Sequence, residues 1–205
     1  MVNNAMNWRK QNRNKHYNTN NYMAINATKK EKKERELLPA DNYMARCTKI
    51  VHIGTSEFEK NGSTYELNKA VLFFEILGSE GPFIADREVV LNTAKDSDFR
   101  KLLNGWRGQD LTDKEADSFD ITVLLDKPCM VNIGHKTIRW DGGSFETEEV
   151  LGISKKPGTM TFPAGKIAPV ILDYDNWSKE VFDGLPQRYK KKITNSKEYK
   201  TLFAS

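Results

Sequence analysis

The sequence has little of what several protein classes require. Its two cysteines, Cys47 and Cys129, are too few for a disulfide framework. Free thiols are ordinary in a reducing compartment, so we expect a cytoplasmic protein, or one in the host cell cytoplasm if it is phage-encoded. No run of about 18 or more apolar residues occurs, which excludes a membrane-spanning helix. The first residues also lack the apolar stretch of a secretory signal, so we expect no such signal.

Motifs for catalysis are missing as well. The chain contains no Gly-rich phosphate loop ending in Gly-Lys-Ser/Thr, no Gly-x-Ser-x-Gly turn and no His-Glu-x-x-His helix. Glu146, Glu148 and Glu149 could form a pair of catalytic carboxylates. They lie in a strand-like run, however, and their spacing equally fits the solvent-facing side of a sheet. Asp173 and Asp175 lie in ordinary turn sequence. We therefore predict that the protein is not an enzyme and needs no cofactor.

Two cysteines and two histidines raise the alternative of a zinc site. Cys47 and His52 lie in one predicted strand, and Cys129 and His135 lie in another. Two cysteines with two histidines are a common tetrahedral ligand set. Both pairs, however, lie within strand-like runs rather than in the tight turns that most zinc sites use. We therefore favour buried free thiols and predict no metal.

The net charge of +4 is distributed unevenly along the chain. Residues 1–36 carry a net charge of +6 and residues 188–205 a net charge of +5, whereas residues 37–187 carry −7. Two basic ends on an acidic body indicate either a polyanionic partner bound mainly by the ends, or ends that fold back onto the body. Charge alone leaves both alternatives open.

Residues 1–36 differ in composition from the rest of the chain. Nine of the first 26 residues are asparagine and the apolar residues are scattered, so we expect a disordered basic arm. Aromatic residues alternate with basic ones, as in flexible segments that stack on bases and pair with phosphates. A solvated leader with chance aromatics is the alternative. The residues concerned are Trp8, Tyr17 and Tyr22 with Arg9, Lys10, Arg13 and Lys15.

Alternating hydrophobicity predicts five strands in the acidic body. The alternation slips near Thr48 and Lys49, which predicts a bulge in the first strand. Asp141 and Gly142 form a favoured tight-turn pair between the last two strands. The predicted strands cover residues 42–53, 64–77, 83–93, 129–136 and 144–154.

Helical periodicity appears between the third and fourth strands and again near the end. Asp96 or Ser97 can cap a helix over 98–106, Thr112 begins a capping box, and residues 185–202 form a final helical stretch. Three strands, a helical insert and a hairpin is the element order of the OB-fold. We therefore predict a mainly β protein, with a five-stranded OB-fold-like barrel over 37–187 and a basic C-terminal tail or helix over 188–205.

Basic and aromatic residues on the predicted strands are the candidates for nucleic-acid contact. Arg139 and Trp140 lie at the predicted hairpin tip, where an OB-fold clamps a single strand. The alternative for Trp140 is packing on its own loop, and the alternative for Phe73 is a core position under the C-terminal segment. The full set is Arg46, Lys49, Lys69, Phe73, Arg87, Lys136, Arg139 and Trp140.

Three stretches of the chain carry a family resemblance. They are LLPADNYMARC at 37–47 with HIGT at 52–55, KLLNGWRGQDLTDKEADSFDITVLLDKPCMVNIGH at 101–135, and VFDGLPQRYKKKITNSKEYKTL at 181–202. In these the chain resembles single-stranded-DNA-binding proteins encoded in the replication and recombination cassettes of tailed bacteriophages. The resemblance implies an OB-fold, sequence-independent binding of single-stranded DNA, and phage replication or recombination proteins as partners. It assigns no contact residues.

The C-terminal sequence departs from one habit of single-strand binders. Many of them end in an acidic tail that recruits partner enzymes, whereas KEYKTLFAS is basic and apolar. Recruitment through an acidic tip is therefore not expected. Two other functions stay open from the sequence: a protein-interaction module that uses the acidic surface, and an RNA-binding protein that uses the same groove.

Overall fold

The computed structural model describes residues 36–78 and 83–203. The chain divides into two units, residues 1–36 and residues 37–205, and the fold below is that of the second unit. The predicted disordered arm, except for Glu36, lies outside the described residues, and so do its aromatic and basic residues.

The second unit is built on a mainly β, six-stranded sheet with the order β3-β2-β1-β4-β5 and with β6 beside β1. All neighbours are antiparallel except β1 and β6, which are parallel. The strands are β1 Asn42–Lys60, β2 Ser63–Ile76, β3 Phe83–Val90, β4 Pro128–Trp140, β5 Gly143–Ser154 and β6 Val170–Leu172.

Strand β1 pairs with two different neighbours on one side because it bends. Its register with β2 shifts between Cys47 and Lys49, at the bulge that the sequence predicted. Before the bulge, Asn42–Arg46 pairs with β4, and after it Lys49–Val51 pairs with β6. The bulge therefore lets one long strand serve two parts of the sheet.

The described strands form an open sheet rather than a closed barrel. Its edges are β3 and β5, and within the described ranges no backbone ladder joins them. A side chain spans the gap: Arg87 Nη1 donates to the carbonyl oxygen of Val150 at 2.8 Å. The sequence prediction also missed β6, because a three-residue strand is too short to show an alternating pattern.

Short helices lie between β3 and β4 and after β6. Helix α1 begins after the N-cap Ser97, whose hydroxyl accepts from the backbone N–H of Arg100 at 3.1 Å. The capping box of Thr112 and Glu115 is present at the start of α2, as predicted. The elements are α1 Asp98–Arg107, α2 Asp113–Ala116, a 3-10 turn Ile121–Leu124, α3 Lys179–Asp183, α4 Gln187–Thr194 and α5 Lys197–Phe203.

The sheet buries apolar side chains on both faces of β1 and β2. One face packs under α1, where the rings of Phe74 and Trp106 lie 5.6 Å apart. The other face packs under the C-terminal helices and forms a second core, where the rings of Phe73 and Tyr189 lie 5.7 Å apart. Burial on both faces explains why β2 is continuously apolar near its end rather than alternating.

Polar contacts hold the basic C-terminal helices on the sheet. Arg188 and Lys192 of α4 form ion pairs with Asp86 and Glu88 of β3. Glu198 of α5 accepts from the backbone N–H of Thr55 at 2.7 Å and from its hydroxyl at 2.6 Å. The basic C-terminal segment therefore folds back onto the acidic body, which was one of the two alternatives from charge.

A buried ion pair joins β1, β2 and the loop before β6. Arg46 Nη2 lies 2.8 Å from Glu75 Oε2 and donates to the carbonyl oxygen of Ile167 at 2.6 Å. The Glu75 side chain is only 3% exposed and also accepts from the backbone N–H of Lys166 at 2.7 Å. Burial alone raises the pKa of Glu75, but the hydrogen bonds from Arg46, Lys166 and Ile167 lower it on balance.

We predict that Glu75→Gln destabilises the protein by about 3 kcal/mol, because it leaves the buried Arg46 guanidinium without its most buried counter-charge. Asp126→Asn is the matched control. Asp126 also pairs with Arg46, but its side chain is 58% exposed, so its loss costs at most about 1 kcal/mol. Urea unfolding at neutral pH measures both values. Equal effects of the two substitutions would show that Glu75 is not the main stabilising partner of Arg46.

The same pair predicts a pH dependence. Because the pKa of Glu75 is lowered from its ordinary value of 4.5, its contribution is present above pH 4.5 and is lost as the pH falls through the lowered pKa. The stability difference between the wild type and Glu75→Gln should therefore shrink below pH 4.5. Unfolding curves at pH values on either side of this point measure it. A constant difference would contradict the prediction.

We also predict that Phe73→Ala destabilises the protein by about 3–5 kcal/mol, because it opens a cavity in the second core. Phe145→Ala is the control, since the Phe145 ring is 51% exposed and its removal should change stability by about 0.5 kcal/mol or less. Thermal and urea unfolding compare the two variants. A small effect of Phe73→Ala would mean that the ring does not support the core.

Candidate nucleic-acid interface

Two hairpin ends are exposed on both faces of their strands. In the β1–β2 hairpin these are residues 57–66, and in the β4–β5 hairpin they are residues 135–146. The first ends in Asn61 and Gly62, which both have positive φ, as tight hairpin turns require. We call these segments the β1–β2 arm and the β4–β5 arm. Their side chains contribute little to either core and are open to a ligand.

Each arm carries two exposed aromatic side chains. Phe58 and Tyr65 are directly opposite in the register of β1 and β2, and are 49% and 52% exposed. Trp140 and Phe145 are 55% and 51% exposed, with their ring centroids 5.8 Å apart. Large apolar rings on surface arms are costly to hydrate, and they offer flat faces on which bases stack.

Trp140 lies where the sequence placed it, at the end of β4. Its indole covers the glycines of the turn, since a Cβ added to Gly142 would lie 2.9 Å from Trp140 Nε1. One part of the ring therefore packs on its own loop, and more than half of the side chain stays open to solvent. The neighbouring Arg139 is exposed as well.

A groove of about 460 Å³ runs between β3, the β4–β5 arm and α4. Ile138, Phe145 and Tyr189 supply its apolar surface, and basic and acidic residues supply the rest. We call it the arm groove. Its charged lining residues are Arg87, Lys136, Arg188 and Lys192 with Asp86, Glu88, Glu148 and Glu149.

Three of the basic residues of the arm groove, Lys136, Arg188 and Lys192, are already paired with carboxylates in the free protein. Lys136 Nζ lies 3.1 Å from Glu149 Oε1, and the pairs of α4 with Asp86 and Glu88 form another wall. The side chains of Lys136 and Arg188 remain about half exposed, at 45% and 55%. Exposed ion pairs are worth little, so a phosphate can replace the carboxylate at small cost.

The structure brings five of the predicted residues to this region. Arg87 and Lys136 line the arm groove, and Arg139 and Trp140 lie at the end of the arm. Lys69 lies in a neighbouring pocket and pairs with Glu88 at 3.3 Å.

Three of the residues predicted to contact nucleic acid have structural roles instead. Phe73 is a core residue under Tyr189, the alternative that the sequence left open, so its ring is not accessible for stacking. Arg46 holds the buried pair with Glu75. Lys49 lies with its Nζ 5.5 Å from the centre of the Phe73 ring, and burial lowers the pKa of this lysine. Phe73 and Lys49 are held by packing under the C-terminal helices, and Arg46 is held by its buried ion pair, so these roles depend on the tertiary fold.

The sequence prediction missed several residues of the interface. Phe58 and Tyr65 lie at equal distances from the Asn61-Gly62 turn, and this symmetry predicts that they face each other once the strand is known to extend to Lys60. The basic residues of α4 could not be found, because their place beside β3 depends on how the helix docks.

The residues considered for zinc do not converge. Cys47 and Cys129 are buried, and burial raises the pKa of the Cys47 thiol to about 12. His52 Nε2 lies 2.7 Å from Asn68 Oδ1, and His135 Nε2 lies 2.7 Å from the carbonyl oxygen of Leu38. Within residues 36–78 and 83–203, no three His, Cys, Asp or Glu side chains are grouped as metal ligands.

Asp173 and Asp175, the other acidic candidates, lie in a turn. Asp173 Oδ1 accepts from the backbone N–H of Asp175 at 3.0 Å and of Asn176 at 2.6 Å, which closes a turn. None of the helices in the described part of the chain is long and apolar enough to cross a membrane.

Comparison of the chain with protein-family models, with curated proteins and with solved structures found no match. The resemblance to phage single-strand binders therefore stays a prediction, and the function has to be inferred from the arms and the groove.

Proposed function

We propose that this protein is a non-enzymatic, sequence-independent single-stranded-DNA-binding protein that acts in bacteriophage replication or recombination. The observation that carries the proposal is the presence of two surface arms, each with two exposed aromatic rings. Every base has a flat face, so stacking on such rings tolerates any sequence. No cofactor is needed for this activity.

The topology supports an OB-fold-like assignment for the sheet. A long, bulged β1 pairs with β2 and β4, a helical insert lies between β3 and β4, and β4 and β5 form a hairpin. In OB-folds the loops that correspond to the two arms flank the oligonucleotide groove. The gap between β3 and β5, spanned by Arg87, is in keeping with a partly open barrel.

Stacking has to supply much of the affinity, because the charge of the folded unit does not. Residues 37–205 carry a net charge of −2, and the +6 of residues 1–36 lies outside this unit. Each stacked base contributes about 1–3 kcal/mol, so four exposed rings are enough for firm binding of a single strand. The exposed lysine and arginine side chains of the arm groove then meet the phosphates as their carboxylate partners are displaced.

We predict that Trp140→Ala weakens binding of oligo(dT) by about 1–3 kcal/mol, because one stacking surface is lost. Phe58→Ala on the other arm should have an effect of the same kind. Val123→Ala is the control, since this apolar side chain is 53% exposed on the 3-10 turn, away from both arms. Fluorescence anisotropy with labelled oligo(dT) measures the affinities, and unfolding curves check that each variant is folded.

Arg139→Ala should cost less affinity and should lower the salt dependence by about one phosphate contact. Parallel titrations with oligo(rU) and with duplex DNA decide between ligands. Equal or tighter binding of oligo(rU) would favour an RNA-binding protein. Absence of binding to any nucleic acid at low salt would overturn the proposal and favour a protein-interaction module.

A further inference from the structure

A second concave site lies on the other side of α4 from the arm groove. It has a volume of about 240 Å³ and lies between the base of the β1–β2 arm and the end of α4. We call it the lysine pocket. Its lining residues are Ile53, Gly54, Ser56, Lys69, Lys191, Lys192, Asn195 and Ser196.

The lysine pocket has a surplus of positive charge. Three lysines line it and no carboxylate does. Lys69 and Lys192 share a single carboxylate, that of Glu88, which lies outside the pocket lining. Burial alone raises the pKa of Glu88, but both lysines lower it on balance, so Glu88 is ionised at neutral pH. In the described part of the chain Glu88 is the one carboxylate within ion-pair distance of these lysines, and the Glu198 carboxylate beside Gly54 accepts hydrogen bonds from Thr55 instead.

Lys191 supplies the unbalanced charge. Its side chain is exposed, and in the described part of the chain no carboxylate lies within ion-pair distance of it. An anion that enters the pocket therefore meets an ammonium group that, among residues 36–78 and 83–203, has no carboxylate partner.

Neutral donors complete the pocket. Ser56 and Asn195 make no side-chain hydrogen bond to other described residues, so a hydroxyl and an amide are free to donate. Ser196 is different, because its hydroxyl donates to the carbonyl oxygen of Ile193 at 2.7 Å and only shapes the wall. Ammonium groups with a hydroxyl and an amide are the donor set that phosphate oxygens accept from.

Gly54 lets the helices approach closely enough to form the pocket. It has a φ of 93°, and a Cβ at this position would lie 2.6 Å from Glu198 Oε2 and 2.8 Å from Ser196 Oγ. Any side chain here would push the start of α5 away from β1. The pocket wall is therefore built into the fold rather than assembled from mobile surface side chains.

The lysine pocket continues the path of the arm groove. Lys192 lines both sites, so α4 separates them by the width of one helix face. On one side the groove leads to Phe145 of the β4–β5 arm, and on the other side the pocket includes Ser56, near the foot of the β1–β2 arm. The two sites therefore offer one route across α4 between the arms.

We propose that the lysine pocket binds a phosphate group of the DNA strand between the two arms, with Lys191 as the principal cation. The proposal rests on the proposed single-strand binding. It makes the C-terminal helix α4 part of the binding surface, in addition to its role in covering the second core.

The test compares Lys191→Gln with Lys101→Gln in the full chain. Both substitutions remove one exposed lysine charge from a helix, but Lys101 of α1 lines neither the arm groove nor the lysine pocket. For Lys191→Gln the slope of log affinity for oligo(dT) against log salt should fall by about 0.7, and that of the control should not change. The ratio of wild-type affinity to Lys191→Gln affinity should therefore increase by about fivefold for each tenfold reduction in salt.

The outcomes separate the two proposals. If the wild type binds oligo(dT) and Lys191→Gln keeps the wild-type slope, the pocket proposal is wrong and single-strand binding stands. If the wild type binds no oligo(dT), both the single-strand binding and the pocket proposal are wrong. A titration with inorganic phosphate, followed by the amide chemical shifts of Lys191 and Asn195, tests whether the pocket binds free phosphate rather than a phosphate of DNA. Phosphate binding with an unchanged oligo(dT) slope would make this a site for free phosphate and would overturn the proposal.

Discussion

Burial of strand β2 on both faces is the constraint on which the rest of the structure depends. Leu72 and Phe74 point into the core under α1, and Val71 and Phe73 point to the opposite side. A sheet face of this kind cannot stay exposed, because each buried side chain contributes about 1.5–3 kcal/mol relative to water. The C-terminal helices are therefore held on the sheet, and their basic residues are brought beside β3.

The two arms, in contrast to β2, leave large apolar side chains exposed. At its base the β1–β2 hairpin is buried on both faces and the β4–β5 hairpin on one, but towards the tips both faces are exposed and Phe58, Tyr65, Trp140 and Phe145 remain in water. These rings add little to stability, and they are the surfaces on which the bases stack in the function that we propose. Stability resides in the bases of the hairpins, and the binding that we propose would use their tips.

Charge acts differently in the buried and exposed parts of the molecule. The pair of Arg46 and Glu75 is buried and structural, with hydrogen bonds to both Nη atoms of Arg46 and to both carboxylate oxygens of Glu75. The pairs along α4 and the β4–β5 arm are half exposed and can exchange a carboxylate for a phosphate. In the DNA binding that we propose, a phosphate displaces these exposed carboxylates, which is how an acidic body would present basic side chains to DNA locally.

The sequence by itself determined the local features of this protein. Alternation, turn pairs and caps predicted the β class, five of the six strands, the bulge after Cys47, helix α1 and the position of Trp140, because each depends on residues close together in the chain. Only the tertiary structure decided that Phe73 is core, that Arg46 is structural, that the sheet stays open and that α4 lies beside the groove. Those features depend on which distant segments cover which face, and the local pattern of the chain does not encode that choice.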